Sequence, residues 1–305
     1  MNIGVVIVTY NRLTKLKKCL SSYETQSYVP SAILVVNNAS TDGTKEYLDQ
    51  WASVATVGSP VRKIIHCDKN LGGAGGFAKG IRHMMDMNVD WIWIADDDAY
   101  VDKKCLKTIE DYYEAISVDD QAKLTAISAK VVNIDGNVSV MHRRKLKQSF
   151  FQVKEVPLAE QDYKEQMQAI DLFSFVGTAI RTSVIKQIGL PRSDYFIFFD
   201  DSEYALRMHK MGQAVCLSDA LIVHDSPENL LSKTSWKNFY MFRNKLYTYK
   251  LYFPMKYVLA ELLKTTYMVM RYYNCRLSRK QLWHALRSVY QERMGVDTRY
   301  LPPTK

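Results

Sequence analysis

Trp91-Ile92-Trp93-Ile94-Ala95-Asp96-Asp97-Asp98 sets an unbroken apolar run directly against three carboxylates. A short run without polar alternation is the pattern of a strand buried on both faces, as in a parallel sheet covered by helices on each side. Side chains alternate along extended chain, so Asp96 and Asp98 project together while Asp97 projects the other way. Three adjacent acids repel unless a cation holds them. Hard divalent ions take carboxylate oxygens, and magnesium-type sites combine one or two protein carboxylates with phosphate oxygens of a substrate. The competing use is capping of the next helix, with Asp102 at its start.

Upstream, Ile3 to Val8 is a second apolar, β-branched run, and Ala32 to Val36 is a third. Leu13, Leu16, Leu20 and Tyr23 share one face of a helix between them, and Tyr47, Leu48 and Trp51 mark another. Ile64 to Cys67 reads as a further strand, and Phe77, Ile81 and Met84 as a helix leading to the aspartate strand. The alternation is α/β with a mainly parallel sheet. Ligands of such sheets sit beyond the carboxyl ends of the strands. Thr9-Tyr10-Asn11, Asn37-Asn38 and Asp96 to Asp98 all fall there. Between Val131 and Asp171 the pattern weakens into a turn at Asp135-Gly136 and a basic run, Arg143-Arg144-Lys145-Leu146-Lys147, which reads as a mobile loop. Phe173 to Arg181 then reads as a strand, followed by a short helix capped by Thr182 and stopped by Gly189.

The 305 residues suffice for one large domain with an appendage, and 47% hydrophobic content excludes a disordered chain. Five scattered cysteines without a Cys-x-x-Cys pair argue against a disulfide framework and for a reducing cytoplasm. No secretory leader is evident at the N-terminus. Residues 231–305 hold 15 Lys and Arg against 3 Asp and Glu, and 15 of the 36 aromatic residues; the first 230 residues hold 26 basic and 29 acidic. The expected division is 1–230, a catalytic domain, and 231–305, a basic, aromatic, helical extension. Its charges are too dense for a spanning helix between Tyr252 and Tyr273. Basic residues among aromatics suit an anionic membrane surface or a nucleic acid; packing on the main domain, or a homo-oligomer interface, is the equally weighted alternative.

Phe196-Ile197-Phe198-Phe199-Asp200-Asp201-Ser202-Glu203-Tyr204 again sets acids after an apolar run. Asp200 and Glu203 fit a capping box, which leaves Asp201 over as a candidate general base toward a hydroxyl. His224 closes the apolar run Ala220 to Val223. It is a candidate third metal ligand, compatible with Mn2+ as well as Mg2+, or else a structural histidine. Gly72-Gly73-Ala74-Gly75-Gly76 offers open amides ahead of a helix. Gly73, Gly75 and Ala78 also satisfy a dinucleotide fingerprint with Asp96 at ribose-binding distance, so an NAD-dependent dehydrogenase is a competing reading.

Val8-Thr9-Tyr10-Asn11-Arg12, Asn37-Asn38-Ala39-Ser40-Thr41-Asp42-Gly43-Thr44, Asn70 to Gly76 and Asp96-Asp97-Asp98, in that order, resemble glycosyltransferase family 2. Phe175-Val176-Gly177, Gly189-Leu190-Pro191, Phe199 to Tyr204 and His224 resemble its galactofuranosyltransferase-like branch, with rhamnosyltransferases close by, and Trp236 to Asn244, ending Phe242-Arg243-Asn244, also resembles the family. The resemblance covers roughly residues 1–250. It implies the nucleotide-diphospho-sugar transferase (GT-A) fold and a donor site formed by Thr9, Tyr10, Asn11, Arg12, Asn37, Asn38, Asp42, Asn70, Gly72, Gly73, Asp96, Asp97 and Arg243. It implies a metal, Mn2+ or Mg2+, on Asp96, Asp98 and His224. It further implies Asp201 as catalytic base, and Asp200 and Glu203 at the acceptor. The family usually has Asp at the position of Asn37, whose amide keeps an acceptor oxygen but loses the charge.

What the resemblance implies is inverting transfer of a sugar from a nucleotide diphosphate donor to a glycan or lipid-linked oligosaccharide in cell-surface polysaccharide synthesis; the expected location is cytoplasmic, and on the membrane alternative for the basic, aromatic tail it is peripheral on the cytoplasmic face of the inner membrane. The donor lean is UDP-galactofuranose, with dTDP-rhamnose as the alternative. A basic nucleic-acid or scaffold binder is the reading from a different class. It has no use for separated groups converging on a metal crevice, so no nucleic-acid partner is expected.

Overall fold

The computed structural model describes residues 1–54, 58–226, 235–271 and 277–302. Its parallel half is β1 (Ile3–Thr9), α1 (Leu13–Glu24), β2 (Ala32–Asn37), α2 (Thr44–Ser53), β3 (Val61–His66), α3 (Gly72–Met85) and β4 (Trp91–Asp96). Then come β5 (Ala99–Val101), α4 (Cys105–Ala115), α5 (Val118–Lys123), β6 (Leu124–Val132), β7 (Arg143–Gln148), β8 (Val153–Pro157), β9 (Met167–Ile170), β10 (Leu172–Phe173), β11 (Thr178–Arg181) and α6 (Thr182–Ile188). The chain continues through α7 (Asp200–His209), β12 (Gln213–His224), α8 (Lys237–Tyr252), α9 (Met255–Arg271) and α10 (Arg279–Tyr290).

A nine-stranded sheet runs β3-β2-β1-β4-β11-β6-β12-β5, with β9 also on β12. β1 to β4 are parallel, β11 is antiparallel to β4 and β6, and β12 is parallel to β6. Alternation divides β1 between two cores. Ile3, Val5 and Ile7 pack with Leu16, Leu20, Leu48, Trp51 and Ile109, while Val6 and Val8 pack with Phe77, Ile81 and Met84. Helices therefore cover both faces, and the fully apolar strand runs are explained. The strand order reverses between β1 and β4, which opens a crevice at their carboxyl ends. In register, Val8 lies beside Asp96, and Thr9 beside Asn37.

Gly76 lets α3 lie close on β1, since a Cβ there would stand 2.6 Å from Val8 Cγ1. The glycine run forms the first turns of α3 instead of preceding it, and of these glycines Gly73 is the partly open one lining the crevice.

The stretch 131–171 is not a loop. β10-β7-β8 form a second, three-stranded sheet, and the basic run is β7 itself. Arg143 is fully buried: Nε donates to Ala129 O (2.9 Å), and Nη2 to Val176 O (2.7 Å) and Gly177 O (2.8 Å). It reads as a surface charge in sequence but supplies donors to strand-end carbonyls that water cannot reach. Arg143→Met strips the donor from Ala129 O and Val176 O, at about 1–3 kcal/mol per buried polar group left unsatisfied. Urea unfolding is expected to show a loss of about 2–5 kcal/mol; a loss under about 1 kcal/mol contradicts this role.

Smaller departures also have physical causes. The run from Phe173 is broken at Gly177 (φ +72), so β11 starts only at Thr178. Thr182 is the first residue of α6, with Arg181 in the cap position, and Gly189 (φ +80) stops that helix as expected. A division at residue 230 falls in 227–234, outside the described residues. α8 and α10 pack through Phe239, Tyr240, Leu246 and Val289 against Tyr195, Phe196 and Ala74 of the main body.

Candidate active site

Two adjoining clefts open at the β1/β4 crevice. The first, about 540 Å³, is lined by the β1-α1 turn Thr9 to Arg12, by Asn38, Asn70, Gly72, Gly73, Asp96 and Asp97, and by Phe196, Ile197, Trp236 and Lys237. The second, about 300 Å³, holds Asp96, Asp98, His142, Ser174, Asp200, Asp201 and His224. Arg12, Gly73, Asp96, Ile197 and Lys237 line both.

The aspartates divide as alternation requires. Asp97, 3% exposed, accepts from Thr9 Oγ1 (2.7 Å), Tyr10 N (3.4 Å) and Arg12 Nη1 (3.1 Å), which ties the β1 and β4 ends together. Asp96, Asp98 and His224 turn the other way and bring one ligand atom each within 4.8 Å of one another. β12 delivers the histidine: His224 pairs with Ala99 of β5, directly after the aspartates, and Asp225 N donates to Asp98 O (2.8 Å). Asp98 Oδ2 takes Arg12 Nη1 at 2.6 Å. Asp98 Oδ1 is buried with no hydrogen-bond donor among the described residues, and His224 Nε2 is 3.4 Å away. A buried carboxylate oxygen without a donor, facing a second carboxylate and an imidazole, is a donor set that fits a divalent ion.

Electrostatics agree. Burial and then the neighbouring Asp98 charge push Asp96 up to about 7. Burial raises Asp97 to about 6 against the pull of Arg12. Asp98 lies below its ordinary value despite burial, because His224 and Arg12 hold its charge, and His224 is raised in turn by Asp98 and Asp96 against its own burial. A carboxyl raised when folded lowers stability as pH climbs from about 4 toward 7, because the unfolded chain loses its proton first. Ions bind the deprotonated ligand, so the Mn2+-induced rise in Tm is expected to be small near pH 5 and to reach its full size above pH 7. A pH-independent rise would separate metal binding from Asp96.

Asp200 and Asp201 open α7 on the far side of the second cleft. Asp200 is buried and driven well above its ordinary value by burial and by Asp201. Asp201 is partly open; burial raises it and Arg144 opposes, while its Oδ1 accepts from Ser202 Oγ (3.0 Å). Arg144 Nη2 donates to Ser202 Oγ (2.9 Å), so β7 braces the start of α7.

Sequence reasoning placed some residues at the site that the structure puts elsewhere. Asn37 is 2% exposed, with Oδ1 accepting from Ser40 N and Nδ2 3.1 Å from His66 Nδ1. Asp42 fastens α1 and α2 by accepting from Leu13 N and Thr44 N. Neither lines either of the two clefts. Glu203 makes no capping box. Phe199 is the N-cap without a side-chain bond, and the Glu203 carboxylate is held by Arg207 (2.9 Å) and Tyr252 (2.5 Å), outside the lining of the second cleft. Arg243 also lines neither cleft: its guanidinium donates to Gly295 O (2.7 Å) and Tyr195 O (3.3 Å). Its neighbour Asn244 sets Nδ2 within 3.0 Å of the carbonyls of Tyr195, Ile197 and Phe198. These bonds hold a loop in which Phe196, Phe198 and Phe199 all have positive φ, a strained backbone that needs such support. The segment Trp236 to Asn244 thus reaches the cleft through Trp236 and Lys237, while its end fixes the aromatic wall. Gly72 (φ +73) allows that wall to close, since a Cβ would stand 2.0 Å from Phe196 O.

Asn11, Asn38 and Asn70 do line the first cleft, though their amides mainly tie its loops: Asn11 Oδ1 accepts from Thr41 N (2.7 Å), and Asn38 Oδ1 from Leu71 N (2.8 Å). His142 and Ser174, joined at 2.7 Å, are members of the second cleft that sequence reasoning missed. The His142 and His224 rings meet edge to face at 5.1 Å. No motif marks His142, which becomes visible only once the small sheet folds.

The model of the family described as "Glycosyl transferase family 2" matches residues 4–189, and the chain belongs to that family. Galactofuranosyltransferase GlfT1 of Mycobacterium tuberculosis is 30% identical over 229 residues, 73% of this chain and 70% of the relative. Among solved structures, GalNAc-T7 with UDP, GalNAc and Mn2+ aligns with a TM-score of 0.63 at 12% identity, over 96% of this chain and 56% of that one. The mannosyltransferase PcManGT from Pyrobaculum calidifontis, in complex with GDP-Man and Mn2+, aligns with a TM-score of 0.56 at 16% identity, over 95% and 74% of the two chains. The fold is GT-A and the protein is a glycosyltransferase; the dehydrogenase and nucleic-acid-binding readings are set aside.

Proposed function

We propose that the protein is an inverting, metal-dependent hexosyltransferase that moves galactofuranose from UDP-galactofuranose to a glycan or lipid-linked glycan acceptor. The observation that carries this is the convergence of Asp96, Asp98 and His224 where a cleft for a nucleotide meets a second cleft holding an acid pair. The galactofuranosyltransferase relative and the Mn2+ in both structural neighbours support the donor lean and the metal. On this reading residues 1–230 are the catalytic part and 231–305 an extension that completes the aromatic wall.

Nucleotide and diphosphate occupy the first cleft against Thr9 to Arg12 and Gly73, and the acceptor hydroxyl enters the second. Asp200, kept neutral by burial, donates a hydrogen bond to the acceptor, while Asp201, whose charge Arg144 favours, takes the proton as the hydroxyl attacks the anomeric carbon. Burial raises both carboxyls, Asp200 the further because Asp201 adds to it while Arg144 opposes the rise at Asp201, and that difference divides the roles of orienting acid and base. Asp96, Asp98 and His224 would hold Mn2+ or Mg2+, which neutralises charge on a departing diphosphate. Arg12 and Lys237 bring further positive charge to the wall shared by both clefts.

No helix among the described residues is long and apolar enough to cross a membrane. With a lipid-linked acceptor, the proposed location is peripheral, on the cytoplasmic face of a membrane. Incubating purified protein and Mn2+ with UDP-galactofuranose, UDP-galactopyranose or dTDP-rhamnose and a lipid-mimic acceptor tests the reading. Galactofuranosyl product is expected, and preference for dTDP-rhamnose or galactopyranose would overturn the donor.

A further inference from the structure

The β7-β8 hairpin ends in Phe150 and Phe151, each more than half exposed and stacked edge to face at 4.6 Å. Exposed adjacent phenylalanines at a hairpin tip have no folding role, because burial is what an aromatic ring contributes. The tip is fixed to the start of α9: Tyr257 OH donates to Ser149 O (2.9 Å), and Lys256 Nζ lies 4.8 Å from the Phe150 ring centre. Along α9, Met255, Leu259, Leu263 and Tyr267 recur every fourth residue, each also more than half exposed. At 100° per residue they form a stripe winding about 120° around the helix. The inward face of α9 is a different set, with Tyr257 and Val269 buried.

Charge around this patch is mainly basic. The hairpin strands carry Lys145, Lys147 and Lys154, and their one acid, Glu155, is taken by Arg144. Lys147 and Lys154 are direct cross-strand partners and both exposed, a like-charge pairing that costs stability unless an anion lies over it. On α9, Lys256, Lys264 and Arg271 are exposed, while the single acid, Glu261, is taken by Lys245 at 2.6 Å. Apolar side chains flanked by unpaired basic ones match the two layers of an anionic bilayer, hydrocarbon and headgroup phosphate. A second copy of the chain would set this positive patch against itself.

We infer that the Phe150-Phe151 hairpin tip and the α9 stripe form one monotopic docking surface for an anionic lipid bilayer. This deepens the peripheral placement proposed above and rests on it. β7 carries the tip at one end and Arg144, the brace of Ser202 beside Asp201, near the other, so docking sets the acid pair at a fixed height above the lipid.

Vesicle flotation with purified protein tests the surface, using phosphatidylglycerol-phosphatidylcholine and pure phosphatidylcholine vesicles, with Mn2+-UDP thermal stabilisation measured alongside. Wild type is expected to float with the anionic vesicles only. F150S/F151S and, separately, L259S/L263S are expected to weaken that binding at least about tenfold, and Lys147→Glu to weaken it most at low salt. All variants should keep the nucleotide response, so loss of docking is distinguishable from failure of the transferase reading. Equal flotation of wild type and both double variants, or equal binding to neutral vesicles, overturns the inference. So does a wild-type dimer in light scattering that F150S/F151S converts to monomer, which assigns the face to a second copy.

Discussion

Asp201→Asn is expected to lower turnover about 10³- to 10⁴-fold, the upper part of the range for general-base removal, while leaving UDP-induced thermal stabilisation unchanged. An amide at this position still accepts from Ser202 Oγ, as Asp201 does at 3.0 Å, so the start of α7 keeps its geometry. What is lost is the ability to take a proton. Asp200→Asn makes the contrast. Burial and Asp201 keep the Asp200 carboxyl largely protonated, so an amide preserves its role as donor and turnover should fall far less, by roughly tenfold. If Asp200→Asn were the more damaging change, the base would be Asp200. If both variants retained turnover within tenfold, neither cleft acid would be the base.

Asp98→Ala is expected to weaken Mn2+ binding at least about 100-fold, beyond the 10- to 100-fold that follows loss of an outer partner, and to abolish the metal-dependent part of UDP binding. The carboxylate lies 2.6 Å from Arg12 and 3.4 Å from His224, and both groups lose that neighbour in the variant. His224→Gln separates the effects, since it removes the imidazole ligand while leaving the Arg12 pair in place; it should weaken Mn2+ with a smaller change in metal-free melting than Asp98→Ala causes. Isothermal titration of each variant with Mn2+ in the presence of UDP reads this out. Wild-type affinity in both would dissolve the proposed site.

The parallel half of the fold was legible because its strands are buried on both faces and its helices on one, so hydrophobic period and layer coincide in Ile3 to Val8, Ala32 to Val36 and Trp91 to Ala95. The convergence of Asp96, Asp98 and His224 was legible for a related reason. Strand alternation places Asp96 with Asp98, and a strand-end histidine in β12 meets them. What sequence period could not convey is polar burial. Arg143 is fully buried yet stands in a run that reads as solvated, so the small sheet was taken for a loop. Asn37, Asp42, Glu203 and Arg243 lie near the site, but their polar atoms serve neighbouring backbone and side chains, a choice made by tertiary contacts. The aromatic wall was hidden because Phe196, Phe198 and Phe199 adopt positive φ only under the grip of Asn244. Phe150 and Phe151 gave no periodic signal at all, since an exposed pair at a turn belongs to no buried face.

The most direct measurement is electron paramagnetic resonance titration of Mn2+ into the protein with UDP, following loss of the free-ion signal. One tight ion per chain is expected in wild type and in Asp201→Asn, and none in Asp98→Ala. Retention of the tight ion in Asp98→Ala, or its absence from wild type, would contradict an ion held by Asp96, Asp98 and His224.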